Sequence, residues 1–278
     1  MKTNNPWLSV IMWTAISFAT LFPIYWLFVI SVKPAVDLFA TPEVILRSLF
    51  WKNYVDVLND ATVRGYMVNS LVISSGNALL VTTLGFLACY ALSRFDLGGK
   101  ESIFFWTITN RMAPPAVFLL PLFLLLTQVY TIGGFSLADT RIGMILVYCS
   151  FNLPFAIWTL RPTVEGIPKE LDEAAYVDGA STWTVISDVI FPLARPGLAV
   201  TLILTWVFAW NEYLLAATLT NFNARTLTTG LSEYVTTTGT EWGTMAAISV
   251  FTLIPALIVF TVVQRHIVAG LTFGAVKG

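Results

Sequence analysis

Long intervals without charge decide what this chain can fold into. From Thr3 to Val32, Gly65 to Ser93, Ile142 to Leu160, Pro196 to Asn211 and Trp242 to Gln264, no Asp, Glu, Lys, Arg or His occurs. A helix crosses the hydrocarbon core of a bilayer with roughly 20 apolar residues, and there its backbone must satisfy its own hydrogen bonds. Such intervals, separated by short charged stretches, read as membrane-spanning helices. Composition agrees: 56% of the residues are hydrophobic and 11% charged, where a soluble domain carries about 25% charged residues. With a mean hydropathy of +0.76, this is an all-α integral membrane protein.

Charges mark the water, so the spans fall at about 9–31, 67–92, 103–128, 142–160, 197–219 and 244–264. The third is interrupted by Arg111 and by Pro114-Pro115. The first is too long for a cleavable signal segment and is expected to remain as a span. These six spans form one transmembrane domain over 1–278, with a charged loop at 162–196 on one side and loops at 32–66, 130–141 and 221–243 on the other. An amphipathic helix is expected within the first of these loops, from Trp51 to Leu58. Both termini share the side of the 94–101 turn and the 162–196 loop. That side holds Lys2, Arg94, Lys100, Arg161, Lys169, Arg195, Arg265 and Lys277, eight basic residues against six opposite. Cytoplasmic loops favour Lys and Arg, which makes the termini cytoplasmic.

The same composition excludes several functions. A net charge of -1 offers no basic field for nucleic acid. Cys89 and Cys149 lie inside apolar spans and His266 is the only histidine, so neither a disulfide framework nor a metal site is expected. His266 reads as a flank anchoring the last span beside Arg265. No nucleophile with a partnering base is evident, and Gly98-Gly99-Lys100 runs into Glu101 rather than closing a phosphate-binding loop. The chain reads as no enzyme and binds no cofactor; were it part of a pump, ATP and Mg would sit on another chain.

The loop from Gly166 to Gly197 is the most informative stretch. Pro168 suits a first helical turn, and Glu170, Asp172 and Glu173 sit where the positive end of a helix dipole favours acids. Gly179 can take the left-handed conformation that ends this helix. Ser181 or Thr182 can cap a second, whose Val185, Ile186, Val189 and Ile190 recur at helical spacing until Pro192. Leu171, Ala174, Ala175 and Asp178 are expected on one side, a small-residue surface rimmed by acids that suits docking. The bland alternative is a set of solvated charges on a polar loop.

EAAYVDGA (173–180) followed by IFPLARPG (190–197) resembles the EAA loop of bacterial ABC importer permeases, with Ile-Phe-Pro-Leu in place of the usual Ile-x-Leu-Pro close. LPFAIWTLRPTVEGIPKELDEAA before it and FAWNEYLLAATLT after it resemble carbohydrate-type permeases similar to the second membrane subunit of maltose and trehalose importers. The resemblance runs from about Asn69 to the end. It implies a type I ABC importer permease fold of six transmembrane helices with a cytoplasmic coupling-helix loop, in a bacterial inner membrane. It also implies pairing with a second permease subunit, two ATPase subunits and an extracytoplasmic substrate-binding protein. In that family the EAA glutamate meets a basic residue of the ATPase, which assigns docking to Glu173, Ala174, Ala175, Asp178, Gly179 and Ala180. The loop at 221–243 would reach toward the binding protein through Thr228, Thr229, Gly230, Thr237 and Gly239.

Within the spans, Arg111 lies about 15 Å along its helix, where a lone charge is costly unless paired or wet. It either lines a solute path, snorkels to the membrane surface, or pairs with Glu212 to hold helices together. Trp210, Asn211, Glu212 and Tyr213 offer ring faces and hydrogen-bonding groups suited to a small hydroxyl-rich solute, although an aromatic belt also explains Trp210 and Tyr213. Asn69, Ser70, Ser74, Ser75 and Asn77 could line the same path, but read rather as helix-to-helix hydrogen bonding. A stand-alone secondary transporter or channel is the alternative function. It would need acid or histidine relays or an inverted repeat, and the spans offer only Arg111 and Glu212.

Overall fold

The computed structural model describes residues 6–38, 49–129, 131–132, 135–236 and 239–273. Its helices are α1 (Pro6–Ser31), α2 (Lys52–Asn59), α3 (Ala61–Arg94), α4 (Lys100–Arg111), α5 (Leu119–Leu124) and α6 (Arg141–Glu165). They continue with α7 (Glu170–Val177), α8 (Thr182–Trp210), α9 (Leu214–Leu219) and α10 (Trp242–Phe273). The described residues also include a single helical turn at Leu227–Gly230, three short 3-10 turns and two short antiparallel strand pairs, β1 (Thr131–Ile132) with β2 (Phe135–Ser136) and β3 (Val235–Thr236) with β4 (Gly239–Thr240). Among the described residues, α1, α3, α6, α8 and α10 are long and apolar enough to cross a membrane. The bent pair Lys100–Arg111 and Pro115–Gln128 passes the same test only when its two arms are taken together, which brings the candidate crossings to six.

The chain divides into two compact units, Met1–Gly65 with Gly230–Pro255, and Tyr66–Thr229 with Ala256–Gly278. In the first, α1 keeps large apolar side chains such as Trp7, Val10, Trp13 and Phe18 exposed, as a helix immersed in lipid or covered by another chain allows. The amphipathic helix expected at Trp51–Leu58 is α2. Its Asn53 Nδ2 donates to the carbonyls of Ser31 (2.9 Å) and Lys33 (3.2 Å), and the Tyr54 hydroxyl meets Ser31 Oγ at 2.6 Å.

The second unit holds the long central helices. One apolar cluster, including Phe86, Tyr90, Leu160, Val164, Val185 and Ile190, packs α3, α6 and α8 at the end that carries α7. Another, including Ile73, Met144, Tyr148, Leu215 and Leu219, packs the opposite end. Between α6 and α8 the fit is close: a Cβ on Gly197 would lie 2.2 Å from Thr163 Oγ1 and 2.8 Å from its Cβ, so a larger residue there forces Thr163 to move.

Three boundaries differ from the sequence expectation, each for a backbone reason. The third span is broken rather than merely interrupted. Pro114 is extended (ψ 128), as a residue before proline prefers, and the chain turns by 90° there. The helix beginning at Thr182 does not stop at Pro192 but runs on to Trp210. Val185–Ile190 is π-helical, a wider turn that relieves the crowding an intrahelical proline imposes on the carbonyl four residues back. The expected fifth span at 197–219 is correspondingly two helices, because α8 ends at Trp210 and α9 restarts at Leu214.

Candidate functional site

The loop between α6 and α8 folds as an elbow. Gly179 has φ +84, a conformation that costs a side-chain-bearing residue roughly 1–2 kcal/mol. Around it the Ala180 N–H donates to the Ala175 carbonyl (2.9 Å) and the Gly179 N–H to that of Tyr176 (3.0 Å), the paired bonds that close a glycine-terminated helix. Ser181 then caps α8, its Oγ accepting from the Thr184 N–H at 3.2 Å. A helix therefore ends and another begins within four residues, and α7 is held as a stiff projection.

The faces of α7 differ from expectation in one respect. Ala174 and Ala175 do not share a side: Ala175, with Ala180, packs inward against the apolar cluster, while Ala174 is exposed. The free face carries Leu171, Ala174 and Val177 at three-residue spacing, with Val177 87% exposed. Glu170, Glu173 and Asp178 border it and are exposed as well. This is an apolar stripe edged by acids, with no covering element among the described residues.

Underneath, Asp172 turns into the protein and forms an ion pair with Arg94 at the end of α3 (Nε to Oδ2, 2.6 Å), both side chains under a tenth exposed. Arg94 Nη2 also donates to the Ile167 carbonyl at 2.9 Å. Burial pushes the Asp172 carboxyl above the usual carboxylate range, and Arg94 pulls it back only in part. One turn away the Tyr90 and Tyr176 hydroxyls meet at 3.3 Å. Sequence reasoning read Arg94 as a loop charge and Asp172 as a first-turn acid, and did not pair them.

At mid-helix depth a polar ladder crosses the second unit. Arg111 Nη1 donates to the Phe151 carbonyl (2.9 Å) and reaches Asn152 Oδ1 (3.4 Å). Asn152 Nδ2 donates to Asn77 Oδ1 (2.8 Å), and Asn77 Nδ2 to the Ile145 carbonyl (3.1 Å). The guanidinium lies over the rings of Phe208 and Phe155, at 5.0 and 5.8 Å from their centroids. Its charge is thus met by carbonyl dipoles and ring faces.

The opposite end is organised by a residue that sequence reasoning passed over. Asp139 has φ 53, and its carboxylate accepts the backbone N–H groups of Asn221, Phe222, Asn223 and Ala224 at 2.9–3.0 Å. Burial alone would raise its pKa; these four donors prevail and hold the carboxyl below its ordinary value. Beside it Asn69 donates to the carbonyls of Asn223 and Arg225 and accepts from Arg141 Nε.

With this architecture in view, a family model described as the binding-protein-dependent transport system inner membrane component matches residues 82–272. The chain belongs to that family. The permease is 34% identical over 265 residues to the trehalose transport system permease protein SugB of Mycobacterium tuberculosis, covering 93% of each chain. It is 32% identical over 262 residues to the trehalose/maltose transport system permease protein MalG of Thermococcus litoralis, covering 93% of this chain and 92% of that one. A chain of a bacterial ABC transporter involved in the import of the acidic polysaccharide alginate superposes with a TM-score of 0.77 at 22% identity, covering 94% and 95% of the two chains, a likeness of fold.

The remaining expected residues of the permease fall as follows. Arg111 does not pair with Glu212, whose carboxylate accepts from the N–H groups of Leu215 (2.8 Å) and Ala216 (3.1 Å) and so caps α9. Asn211 and Tyr213 are exposed, Asn211 donating to the Val207 carbonyl of its own helix. Trp210 is buried and stacks on Trp206 at 4.8 Å. Thr228 is half-buried and donates to the Glu212 carbonyl (2.9 Å), while Thr229 is buried and bonds within its own turn to Thr226. Gly230 is buried and Gly239 lies on β4; Thr237 lies outside the described residues, as does the side chain of His266. Asn69, Ser70, Ser75 and Asn77 make interhelical or helix-to-loop hydrogen bonds, whereas the buried Ser74 hydroxyl has no partner among the described residues.

Proposed function

We propose that this chain is one membrane subunit of an ATP-driven importer for a sugar or polyol, and that α7 is where a separate ATPase docks. The free stripe of Leu171, Ala174 and Val177, edged by Glu170, Glu173 and Asp178, is the observation that carries the reading. Projecting small and apolar residues suit insertion into a groove, and Glu173 is free to meet a basic residue of the partner. Gly179 fixes the angle at which the elbow projects. The curated relatives named for trehalose and maltose transport support a hydroxyl-rich solute.

In this reading a second permease subunit pairs with the chain to enclose the pathway. Two ATPase subunits carry ATP and Mg below, and a substrate-binding protein docks above. The 221–243 segment reaches toward that protein; Thr229 and Gly230, expected to touch it, are buried in this chain and support the segment from within, and Thr228 is half-buried. Arg111, Asn211, Glu212 and Tyr213 belong to the helices around the solute path. The termini and α7 lie on the cytoplasmic side of the bacterial inner membrane. Closure of the ATPases on ATP pushes the elbow and switches the pair between inward-open and outward-open states, a rigid-body transition between two packings.

The test is uptake by the reconstituted importer carrying Glu173→Lys or Gly179→Val. Both variants are expected to insert normally and to lose solute uptake relative to ATP hydrolysis. Transport at the unsubstituted rate would remove the docking assignment. Purification of the chain without any ATP-hydrolysing partner would favour a stand-alone transporter instead.

A further inference from the structure

The elbow is continuous in sequence with α6 and α8, so motion of α7 reaches those two helices through the backbone. The third long helix of the unit, α3, ends at Arg94, far from α7 in sequence. Side chains alone connect it to the elbow. The guanidinium of Arg94 grips the elbow at two points, the Asp172 carboxylate and the Ile167 carbonyl, and the Tyr90 and Tyr176 hydroxyls add a parallel bridge one turn away.

A buried ion pair is a poor device for stability, because removing two charges from water costs about as much as their attraction returns. What it supplies is a single geometry. Arg94 presents a planar, rigid cation, and the carboxylate it faces and the carbonyl it donates to both lie at the base of α7. Rotation or sliding of α7 against α3 would leave both charges buried without partners.

The far end of α3 is tied just as tightly. Asn69 holds the carbonyls of Asn223 and Arg225 and accepts from Arg141, and Ser70 Oγ accepts from the Leu227 N–H. Between Asn69 and Arg94 the helix is continuous, a rod of about 37 Å at 1.5 Å per residue. Thus one uninterrupted helix is clamped to the elbow at one end and to the 221–227 segment at the other.

We propose that Arg94 and Asp172 are positioning residues that make α3 a push rod, carrying displacement of the elbow to the 221–227 segment at the opposite end of the unit. The proposal rests on the reading of α7 as the ATPase dock and adds a route by which the stroke arrives. Without the pair, α7 still meets the ATPase, but α3 no longer follows it.

The experiment uses the complete importer, with its ATPase and binding protein, in proteoliposomes. In Arg94→Gln and in Asp172→Asn, solute taken up per ATP hydrolysed is expected to fall by about tenfold, a loss worth one coupling contact. The amount of co-purified ATPase is expected to stay within about twofold, and Asp172→Glu to recover a substantial part of the uptake. In parallel, spin labels at Leu84→Cys on α3 and Lys169→Cys at the start of α7, with Cys149→Ser, report their separation in nucleotide-free and ATP-bound states. The push rod predicts a separation constant to about 2 Å in the protein with Arg94 and Asp172 intact, and a broadened one in Arg94→Gln. Uptake per ATP unchanged in Arg94→Gln overturns the proposal, as does loss of bound ATPase in proportion to uptake, or a labelled pair that separates by about 5 Å or more on ATP binding. If the variants fail to insert, the distance measured with the pair intact decides alone. Failure of the unsubstituted permease to bring down an ATPase would instead contradict the docking reading itself.

Discussion

Replacing Asp139 by Asn removes one acceptor oxygen and the charge from the loop at 137–140, and its effect can be sized from the contacts. The carboxylate accepts from the backbone N–H groups of Asn221 and Ala224 on Oδ1, and from those of Phe222 and Asn223 on Oδ2, with Asn223 Nδ2 as a fifth donor at 3.1 Å. A hydrogen bond to a charged acceptor contributes about 1.5–3 kcal/mol, but water reaches this half-exposed site and replaces part of what is lost. The amide of Asn would also turn donors toward donors. The net loss is about 2–3 kcal/mol of local stability, which corresponds to an increase of about 30- to 150-fold in the opening of residues 221–224. Hydrogen exchange followed by mass spectrometry on the protein in nanodiscs reads this directly. Peptides covering 221–224 should exchange faster by about that factor in Asp139→Asn, while peptides from α7 stay unchanged. Exchange in 221–224 within about threefold of the parent protein would refute the claim that Asp139 holds this segment.

The same carboxylate sets a pH dependence. Its folded pKa is depressed, so its stabilisation is present above the ordinary carboxylate value and lost as pH falls through the folded one. Protection of 221–224, corrected for intrinsic exchange, should collapse on strong acidification in the parent and show no such step in Asp139→Asn. At Gly197, alanine would gain about 0.5–1 kcal/mol of helix propensity but meet Thr163 Oγ1 at 2.2 Å, and overpacking costs about 1–3 kcal/mol. Gly197→Ala should therefore lower the melting temperature of the purified complex; an increase would show that α6 and α8 separate easily. Replacing Arg111 by Met removes the cation that bridges α4 to the Phe151 carbonyl and should weaken uptake more than stability; unchanged uptake would confine Arg111 to packing.

Much of this was legible in the residues themselves. Charge-free intervals located the spans because bilayer thickness fixes their length. Gly179 and Ser181 announced the elbow, since a left-handed glycine and a hydroxyl cap are each required locally. What escaped were pairings between distant residues. Asp139, in Ser-Leu-Ala-Asp-Thr-Arg, looks like any turn aspartate, and its partners are backbone N–H groups some 80 residues away that leave no mark in the sequence. Arg94 looked like a charge in a water-facing turn and Asp172 like one more acid in the first turn of a helix, and only folding shows that they face each other. The division of Ala174 from Ala175 turned on a rotation of α7 that small residues do not specify. Pro192 misled because a π-helical turn can absorb a proline that would otherwise end the helix.

The central claim is that α7 projects into the cytoplasm against a motor on another chain. A photo-cross-linking amino acid at Val177, the most exposed residue of the stripe, tests it in intact membranes and in inverted vesicles. The account predicts an adduct with an ATP-hydrolysing subunit, and accessibility of position 177 to a membrane-impermeant reagent in inverted vesicles only. Labelling of position 177 from the outside of intact cells, or a cross-link to lipid alone in the active importer, would contradict it.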